Sequence, residues 1–551
     1  MDPGGACTGR LRTYTARVPV PDPAQPIPAP APSARGANVA MAALALLAFA
    51  GIMVAGRKID LFYDEWSFVL FRRAWNASAF LDAHNEHISV LPVLVYKLWF
   101  GLFGLEHHWM VRAVLAALLA GLGVVVYLLA RRRVGPWGGV VAAALVLVMG
   151  RAIQNIVWAF QIGFVGSVVF GLLALLALDR PGRRGDVLAC AALVASVLCS
   201  SLGVPFAVGV AAELAVTRRR ALWVPAVPLA VYGAWWLGYG RGKSDITRQS
   251  IEGAASWAYE AAANAAGGAV GLPIEWGRTL LVLLVVAIVW QVARATTQAT
   301  PRLLALVVVA VTFWGLTGAA RSVGTPATET RYITLGAVLM ILAAVELVRG
   351  TRPSRRVLAI GAALVVVSAA AAFPTARDYT RSLAAWTGDV NAELGALTLV
   401  RDRAPADYQL SSGLAPQITA GRFFDAIDDL DSSTADTAAE LPRDFNQERV
   451  YADRVLQDVA LSAAPATGAA PASCKPLGAG GVELTVPASG IVLDGRGRAA
   501  VQVGRFSDGF ANSPSPVPVA GPTVLRFAPD RSPVPYRVKV SAADGAVRLC
   551  A

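Results

Sequence analysis

The chain has 551 residues, of which 55% are hydrophobic and only 16% are charged, and its mean hydropathy is +0.53. Soluble proteins usually contain about 25% charged residues, so this composition excludes an ordinary soluble protein and indicates one that crosses a membrane repeatedly. The net charge of +12 does not indicate a nucleic-acid partner, because the basic residues form short clusters between apolar runs rather than one stripe.

The first 38 residues are rich in proline and poor in bulky apolar side chains. Such a composition cannot build a core, so we expect 1–38 to be a disordered tail on the cytoplasmic side. The apolar run that follows, 39–55, is short enough to be the h-region of a cleaved signal peptide. The long tail before it and the many apolar runs after it favour an uncleaved membrane anchor.

Further apolar runs approach the length of about 20 residues that a spanning helix needs. They lie at 109–130, 137–149, 156–178, 187–202, 204–216, 221–239, 279–293, 303–320, 333–348 and 357–373. Arginine clusters in the short loops between them mark the cytoplasmic side. The sequence therefore predicts a bundle of eleven spans over 39–373, with outer loops at 56–108, 240–278 and 321–332. Another apolar stretch, 90–105, contains Lys97 and Pro92, and we predict that it lies in the membrane interface instead of crossing.

The character of the chain changes after Pro374. Apolar residues show helical spacing within 374–465, and short alternating runs follow from Gly480 onward. The predicted fold class is a polytopic α-helical membrane protein with a small extracytoplasmic α/β domain, in which 466–551 forms an antiparallel β unit, a small sandwich. Cys474 and Cys550 bracket this unit, so we expect a disulfide in an oxidising compartment, the alternative being two unpaired thiols.

The first outer loop holds the motif FYDEWSF at Phe62–Phe68, which brings Asp64 and Glu65 within a few residues of the first span. A charge near the hydrocarbon boundary is costly unless it is paired or faces a wet cavity, so these carboxylates are candidates for function. The same loop contains all the histidines of the chain: His84, His87, His107 and His108.

An acidic motif directly after the first span, followed by surface helices, a helical bundle and an outer soluble domain, resembles the GT-C superfamily of membrane glycosyltransferases. Within it, the chain is similar to actinobacterial arabinofuranosyl- and mannosyltransferases of cell-envelope assembly. The matching segments are FYDEWSF, HNEH at His84–His87 and TETRYITLG at Thr328–Gly336. The resemblance implies inverting transfer of a sugar from a polyprenyl-phosphate donor in the outer leaflet to a hydroxyl of an envelope glycan or glycolipid. It implies no required cofactor, with a divalent metal as an option.

The resemblance also implies roles for the acidic residues. Asp64 is the candidate general base, because the attacking acceptor hydroxyl must lose its proton. Glu65 or Glu86 then holds the acceptor or a metal, and one of the two adjacent acids should face away. The alternative for Asp64 is that it only caps a surface helix that begins near Trp66.

Arg331, followed by Tyr332, matches the position of a phosphate-binding arginine in the family, and such a cation stabilises the departing lipid phosphate. The alternative is an ordinary anchor at the membrane interface. Further cations are predicted on the same side: Arg321, Arg241, Lys243 and Arg248.

His84 and His87 are three residues apart, which on a helix puts both on one face, and together with Glu86 they suit zinc or manganese. Such histidines also serve as plain hydrogen-bonding groups. Gln154 and Gln161 bracket the outer end of a span and are predicted to line a sugar cavity, the alternative being contacts between helices.

Two other classes of function stay open at this point. One is a lipid or polysaccharide transporter, for which repeated helices and charges within spans are typical, and neither is evident here. The second is a non-catalytic scaffold for envelope assembly.

Overall fold

The computed structural model describes residues 32–217, 219–243, 246–294, 300–467, 473–510, 513–543 and 546–550. A helical bundle is followed by a smaller module of helices and strands. The helices are α1 (Pro32–Ala55), α2 (Asp64–Phe71), α3 (Ala77–Leu81), α4 (Val90–Phe103), α5 (Trp109–Leu147), α6 (Ile153–Val157), α7 (Ile162–Leu178), α8 (Arg183–Cys199), α9 (Gly203–Val216), α10 (Trp223–Trp235), α11 (Arg248–Gly268), α12 (Ile274–Arg294), α13 (Pro301–Arg321), α14 (Ile333–Leu347), α15 (Arg355–Leu399), α16 (Ala420–Leu430) and α17 (Asn446–Val459).

Within the described ranges, seven helical segments are long and apolar enough to cross a membrane. They are Ala34–Ala55, Leu105–Val157, Ala159–Leu178, Ile274–Arg294, Pro301–Arg321, Thr330–Leu347 and Arg355–Leu399. The prediction of a multi-pass helical membrane protein is therefore confirmed. The first helix begins at Pro32, so the predicted tail is helical from there on, and 1–31 lie outside the described residues.

The predicted spans coincide largely with helices of the structure. Those at 109–130 and 137–149 are the two halves of α5, which is broken at Gly135 (φ 84°), just before Pro136. The backbone of Arg131 packs close to Gly139, so the halves run antiparallel. Helices α8, α9 and α10 have only 17, 14 and 13 residues. The total of eleven crossings therefore stays a prediction.

The ends of five helices meet in a buried network of ion pairs. Arg133 of α5 contacts Asp179, next to α7, at 2.9 Å and Glu346 of α14 at 2.6 Å. Arg302 of α13 contacts Glu213 of α9 at 2.7 Å and Asp179 at 3.1 Å. Since buried charges are stable only when paired, this network defines how the five helix ends are arranged. We call it the ion-pair network.

The last span continues without interruption into the C-terminal module, which we define as residues 400–550. Helix α15 extends from Arg355 to Leu399 and includes Pro374, where the sequence predicted a boundary between domains. The helical spacing after 374 therefore belongs to the same helix as the preceding span, and the boundary between domains stays a prediction. Helices α16 and α17 pack beyond its end.

The β unit of the C-terminal module is antiparallel, as predicted. Its strands are β1 (Leu461–Pro465), β2 (Cys474–Pro476), β3 (Val482–Thr485), β4 (Ile491–Val503), β5 (Ser515–Ala520), β6 (Thr523–Phe527), β7 (Arg537–Ser541) and β8 (Val547–Cys550). The first part of β4 pairs with β6 and β8, and its second part pairs with β5 and β7. One strand thus joins two sheets around a common apolar core. Cys474 and Cys550 form a disulfide between β2 and β8, which confirms the predicted pairing.

We expect Arg133→Met to lower the free energy of unfolding by about 3–5 kcal/mol, because it leaves buried carboxylates without their central cation. Thermal unfolding of the purified protein in detergent measures the change. The matched control is Arg349→Met, since that side chain is 53% exposed although it also lies near Glu346. Equal unfolding temperatures for the two variants would contradict the assigned role of the network.

Candidate active site

A cavity of about 940 Å³ lies at the opposite end of the bundle from the ion-pair network. Helix α13 extends from Arg302 in the network to Arg321 in the cavity wall. Helix α14 begins beside Tyr332 at the cavity and reaches the network at Glu346. The remaining walls come from α2 and the loop after it, the starts of α7 and α9, and the end of α10. Neighbouring helices thus run in opposite directions between the two ends, as the predicted topology requires.

Asp64 lies in the cavity wall at the first position of α2, with 15% of its side chain exposed. Its Oδ1 accepts a hydrogen bond from Asn85 Nδ2 at 3.2 Å, and His84 Nε2 lies 3.7 Å from the same oxygen. No lysine or arginine of the described chain comes within 4.0 Å of this carboxylate. The N-cap residue of α2 is Tyr63 and no side chain caps the helix, so the alternative role of Asp64 as a cap is wrong.

Glu65 is fully buried and faces away from the cavity. Its carboxylate accepts hydrogen bonds from the Tyr96 hydroxyl at 2.6 Å and from the Phe62 backbone N–H at 3.1 Å. His108 Nε2 lies 3.0 Å from the same carboxylate. The assignment of Glu65 to catalysis is therefore corrected, because consecutive helical residues point in different directions and only Asp64 reaches the cavity.

The HNEH segment forms a tight reverse turn instead of a helix. The backbones of His84 and His87 bond reciprocally at 3.0 and 2.9 Å. Asn85 and Glu86 between them have φ values of 45° and 72°, the pattern of a two-residue hairpin turn. The predicted shared helical face is therefore wrong. The turn instead brings His84 beside Asp64, and all four residues of the turn line the cavity.

Glu86 and His87 are held at the opposite wall. Glu86 Oε1 lies 2.9 Å from the Arg321 guanidinium, at the end of α13. Burial, reinforced by nearby Arg321, lowers the pKa of His87 to about 3, so its ring is neutral at physiological pH. The ligand atoms of His84, Glu86 and His87 do not all lie within 4.8 Å of one another in the structure. A divalent metal at this turn stays a prediction.

Arg331 lies in the 3₁₀ turn before α14, and its side chain lines the cavity. Its backbone N–H donates to Gln154 Oε1 at 3.2 Å, and Gln154 in turn donates to Glu329 at 3.1 Å. Its Nε is buried without an acceptor, and no described carboxylate lies within 4.0 Å of the guanidinium. An arginine that is held by its backbone and uncommitted at its side chain is suited to bind an anionic ligand.

The other predicted binding residues divide between the wall and its support. Tyr332 and Gln161 line the cavity, whereas Gln154 lies behind the wall and holds Arg331. The prediction that Gln154 lines the cavity is therefore corrected. Gln161 Oε1 accepts a hydrogen bond from Asn155 at 3.0 Å, so this glutamine is itself anchored.

Of the remaining predicted cations, only Lys243 lines the cavity. Arg241 lies over the Trp236 ring, 5.9 Å from its centroid, and is not part of the wall. Arg248 is 94% exposed and pairs with Glu252 on its own helix. The described part of the cavity thus contains three basic side chains, of which one is paired with Glu86.

One contribution to the cavity escaped the sequence analysis. Pro416 and Gln417, in the loop before α16, line the mouth of the cavity. The Gln417 amide donates to the Tyr63 carbonyl, directly before Asp64. Nothing in the local sequence marks this loop, because its role depends on the C-terminal module packing over the first outer loop.

The wall between α10 and α13 is apolar and opens toward the surface of the bundle. The five-residue turn Trp236–Gly240 after α10 is π-helical, an irregularity that is frequent at functional sites. Trp236 and Leu316 line the cavity and are 43% and 52% exposed. Large apolar side chains are therefore exposed on this side of the cavity.

The fold and the cavity define a multi-pass membrane protein with a cavity of mixed polar and apolar lining at one end of its bundle. No protein-family model and no curated protein matches the chain. Its backbone is similar to the crystal structure of ArnT from Cupriavidus metallidurans bound to undecaprenyl phosphate, with a TM-score of 0.40 and 19% sequence identity. The alignment covers 66% of this chain and 72% of that one. The similarity is remote, and the function proposed below is argued from the cavity.

The different surroundings of Glu65 and Asp64 lead to a stability prediction. Glu65→Gln turns an amide N–H₂ toward groups that donate to the native carboxylate, so we expect a loss of about 1–3 kcal/mol in unfolding free energy. Asp64→Asn should change it by less than about 1 kcal/mol, because no buried partner depends on that carboxylate. Thermal unfolding of both variants in the same detergent tests the contrast. A larger loss for Asp64→Asn than for Glu65→Gln would show that the two roles are reversed.

Proposed function

We propose that the protein is an integral-membrane glycosyltransferase that moves a sugar from a polyprenyl-phosphate donor to an acceptor hydroxyl. The observation that carries the proposal is the presence, in one cavity, of a carboxylate without a lysine or arginine partner and a guanidinium without an acidic partner. These groups are Asp64 and Arg331. Transfer from a phosphate-linked donor needs both an acceptor for the proton and a cation for the leaving group.

Asp64 is proposed as the general base. Only the Asn85 amide and the His84 ring lie beside its Oδ1, so no lysine or arginine neutralises the carboxylate. The acceptor hydroxyl transfers its proton to Asp64 while its oxygen bonds to the anomeric carbon. The bond from that carbon to the phosphate oxygen breaks in the same displacement, which inverts the configuration.

Arg331 is proposed to bind the phosphate of the donor and of the departing lipid phosphate. Its free Nε suits an anionic oxygen, and charge-assisted hydrogen bonds are the stronger kind. Lys243 lines the same cavity and adds positive charge. Arg321 is committed to Glu86, so the two are proposed to hold the shape of the wall and to contact the sugar or acceptor.

The lipid chain of the donor is proposed to enter beside the π-helical turn Trp236–Gly240. A polyprenyl chain is apolar and remains in the membrane, while its phosphate and sugar must reach polar groups. The exposed apolar wall formed by Trp236 and Leu316 meets that requirement.

The proposed orientation has the cavity outside and the N-terminus in the cytoplasm of a bacterial plasma membrane. Short loops at the end of the ion-pair network carry arginine clusters, such as 131–133 and 349–356, and these favour the cytoplasmic side. The C-terminal module is then extracytoplasmic, where a disulfide such as Cys474–Cys550 is stable. The acceptor on that side is proposed to be an envelope glycan or glycolipid, as in actinobacterial arabinofuranosyl- and mannosyltransferases.

We expect Asp64→Asn to lower kcat/KM for sugar transfer about 100- to 10,000-fold, which is the usual contribution of a general base. The assay follows radiolabelled polyprenyl-phosphate arabinofuranose and mannose with the purified protein in lipid nanodiscs. The control, Asp402→Asn, removes an exposed carboxylate far from the cavity. Consumption of donor by Asp64→Asn at the wild-type rate would remove the base assignment. A wild-type protein that consumes neither donor would remove the choice of these sugars, and failure across a wider set of lipid-linked sugars would remove the enzyme proposal.

We expect Arg331→Gln to raise the KM for the lipid donor about 10- to 100-fold, as loss of a hydrogen bond to a charged group does. The KM for the acceptor should change little, because the phosphate belongs to the donor. Arg248→Gln is the matched control, since Arg248 is exposed and outside the cavity. An unchanged donor KM in Arg331→Gln would leave Arg331 as an interface anchor only.

A further inference from the structure

A second group of carboxylates lies apart from the cavity, between α15 and the start of α17. We call Asp389, Asp436, Asp444 and Glu448 the acidic cluster. The Glu448 carboxylate packs so closely on α15 that a Cβ at Gly388 has no space. The Asp436 backbone N–H donates to the Asn391 carbonyl at 3.2 Å, one turn further along the same helix. Two segments of the C-terminal module thus bring their acids to one face of α15.

The acids of this cluster lack partners to an unusual degree. Asp389 is only 5% exposed, and its Oδ1 has no hydrogen-bond partner. Asp444 Oδ2 is also buried without a partner. The carboxylate of Glu448 accepts one hydrogen bond, from the Phe445 backbone N–H at 2.8 Å. A buried unsatisfied carboxylate is costly and calls for a partner that the polypeptide does not supply.

Two cations, Lys58 and Arg449, act on Glu448 and Asp444 from a distance without an ion pair. No described lysine or arginine lies within 4.0 Å of any of the four carboxylates. Lys58 lies over the Phe445 ring, 5.6 Å from its centroid, and Arg449 pairs with Asp508 at 3.0 Å. Further charged groups surround the cluster at longer range: Asp60, Glu393, Glu440 and Arg443.

The protonation behaviour of the cluster reflects this crowding. Burial and the neighbouring acids Asp444, Glu440 and Glu448 raise the pKa of Asp436 to about 8. Burial and the neighbouring glutamates raise the pKa of Asp444 to about 6. Burial also raises the pKa of Glu448.

We infer that the acidic cluster binds one hard divalent cation of the Ca²⁺ class. Its side chains offer oxygen ligands only, which suits Ca²⁺ rather than metals that prefer nitrogen or sulfur. Ca²⁺ takes about six to eight oxygens in a flexible geometry, so carboxylates, backbone carbonyls and water together complete its shell. This site is separate from the cavity and does not depend on the sugar-transfer proposal.

Binding requires small side-chain rotations. The described residues hold one trio of ligating side chains whose ligand atoms lie within 4.8 Å of one another, Cys474, Asp494 and Cys550, and its cysteines are bonded together. The carboxylates of the acidic cluster are more widely spaced, as their mutual repulsion requires. Asp444 and Glu448 are partly exposed at the start of α17 and can rotate toward Asp389.

The position of the cluster connects it to the first outer loop. Asn391, two residues after Asp389, donates from Nδ2 to Asp60 Oδ2 at 3.1 Å. The Asp60 backbone N–H donates to Thr387 Oγ1 at 3.2 Å. A cation that joins α15 to α17 therefore braces the segment that leads into Asp64.

The test measures ⁴⁵Ca²⁺ binding to the full chain in detergent by equilibrium dialysis after removal of divalent ions with EDTA. We expect about one Ca²⁺ per chain, with at least a tenfold loss of affinity in Asp389→Asn and in Asp436→Asn. Asp402→Asn, an exposed acid of the same module, should bind as the wild type does. The proposal would be overturned if the wild type bound no Ca²⁺, or if both cluster variants bound Ca²⁺ as tightly as the wild type does.

Thermal unfolding distinguishes binding of a cation by the cluster from binding of protons. Saturating Ca²⁺ at about 100-fold excess over Kd should raise the wild-type unfolding temperature by about 2 °C or more. Without divalent ions, Asp389→Asn and Asp436→Asn should unfold at higher temperatures than the wild type, because each removes repulsion, and both should respond to Ca²⁺ less than the wild type does. If one of the two Asn variants fails to fold, the other variant is sufficient for the test.

Discussion

The carboxylate of Glu65 anchors the loop on which the cavity depends. It joins α2 to Tyr96 of α4 and to His108 at the start of α5, with contacts of 2.6 and 3.0 Å. A fully buried carboxylate is stable only when its oxygens have donors, so these contacts fix the rotation of α2 about its axis. Because successive residues of a helix point about 100° apart, the same rotation directs Asp64 into the cavity. The buried acid thus determines where the cavity-lining acid points.

The same division between support and function recurs around the cavity. Gln154 holds the backbone of Arg331 from behind, which leaves the guanidinium free at the front. Asn155 accepts a hydrogen bond from Thr334 at 3.0 Å and donates to Gln161 at 3.0 Å, so α14 is joined to the start of α7. Buried polar groups with complete partners are rigid, whereas groups with free positions are available to a ligand. The side-chain atoms that lack a hydrogen-bond partner therefore indicate which side of the wall is available to a ligand.

The membrane-spanning part was predictable because each span is a long apolar run, and the interval between the predicted spans 109–130 and 137–149 contains the break at Gly135. The position of Asp64 in the cavity wall agrees with the candidate site, since Asp64 follows directly on the first span. The shape of HNEH was not predictable, because a spacing of three residues fits both a helix and a tight turn. Within the β unit, the alternating runs predicted strands, but not that β4 pairs in both sheets. The choice between Asp64 and Glu65 depends on which side of α2 meets α4, and this is a tertiary property.

The C-terminal module adds a constraint that no local pattern contains. Together with α15, it contacts the first outer loop directly before Asp64: Asn391 of α15 donates to Asp60, and the Gln417 amide of the module donates to the Tyr63 carbonyl. Farther along the loop, Arg73 pairs with Asp429 at 2.8 Å. Each of these polar contacts contributes only about 1 kcal/mol on its own. Helix α15 is continuous from the membrane into the module, so the contacts are fixed relative to one another. A displacement of the module would therefore act on several points of the loop together. The position of Asp64 is consequently determined from inside the bundle by Glu65 and from outside by a module more than 300 residues away in the chain.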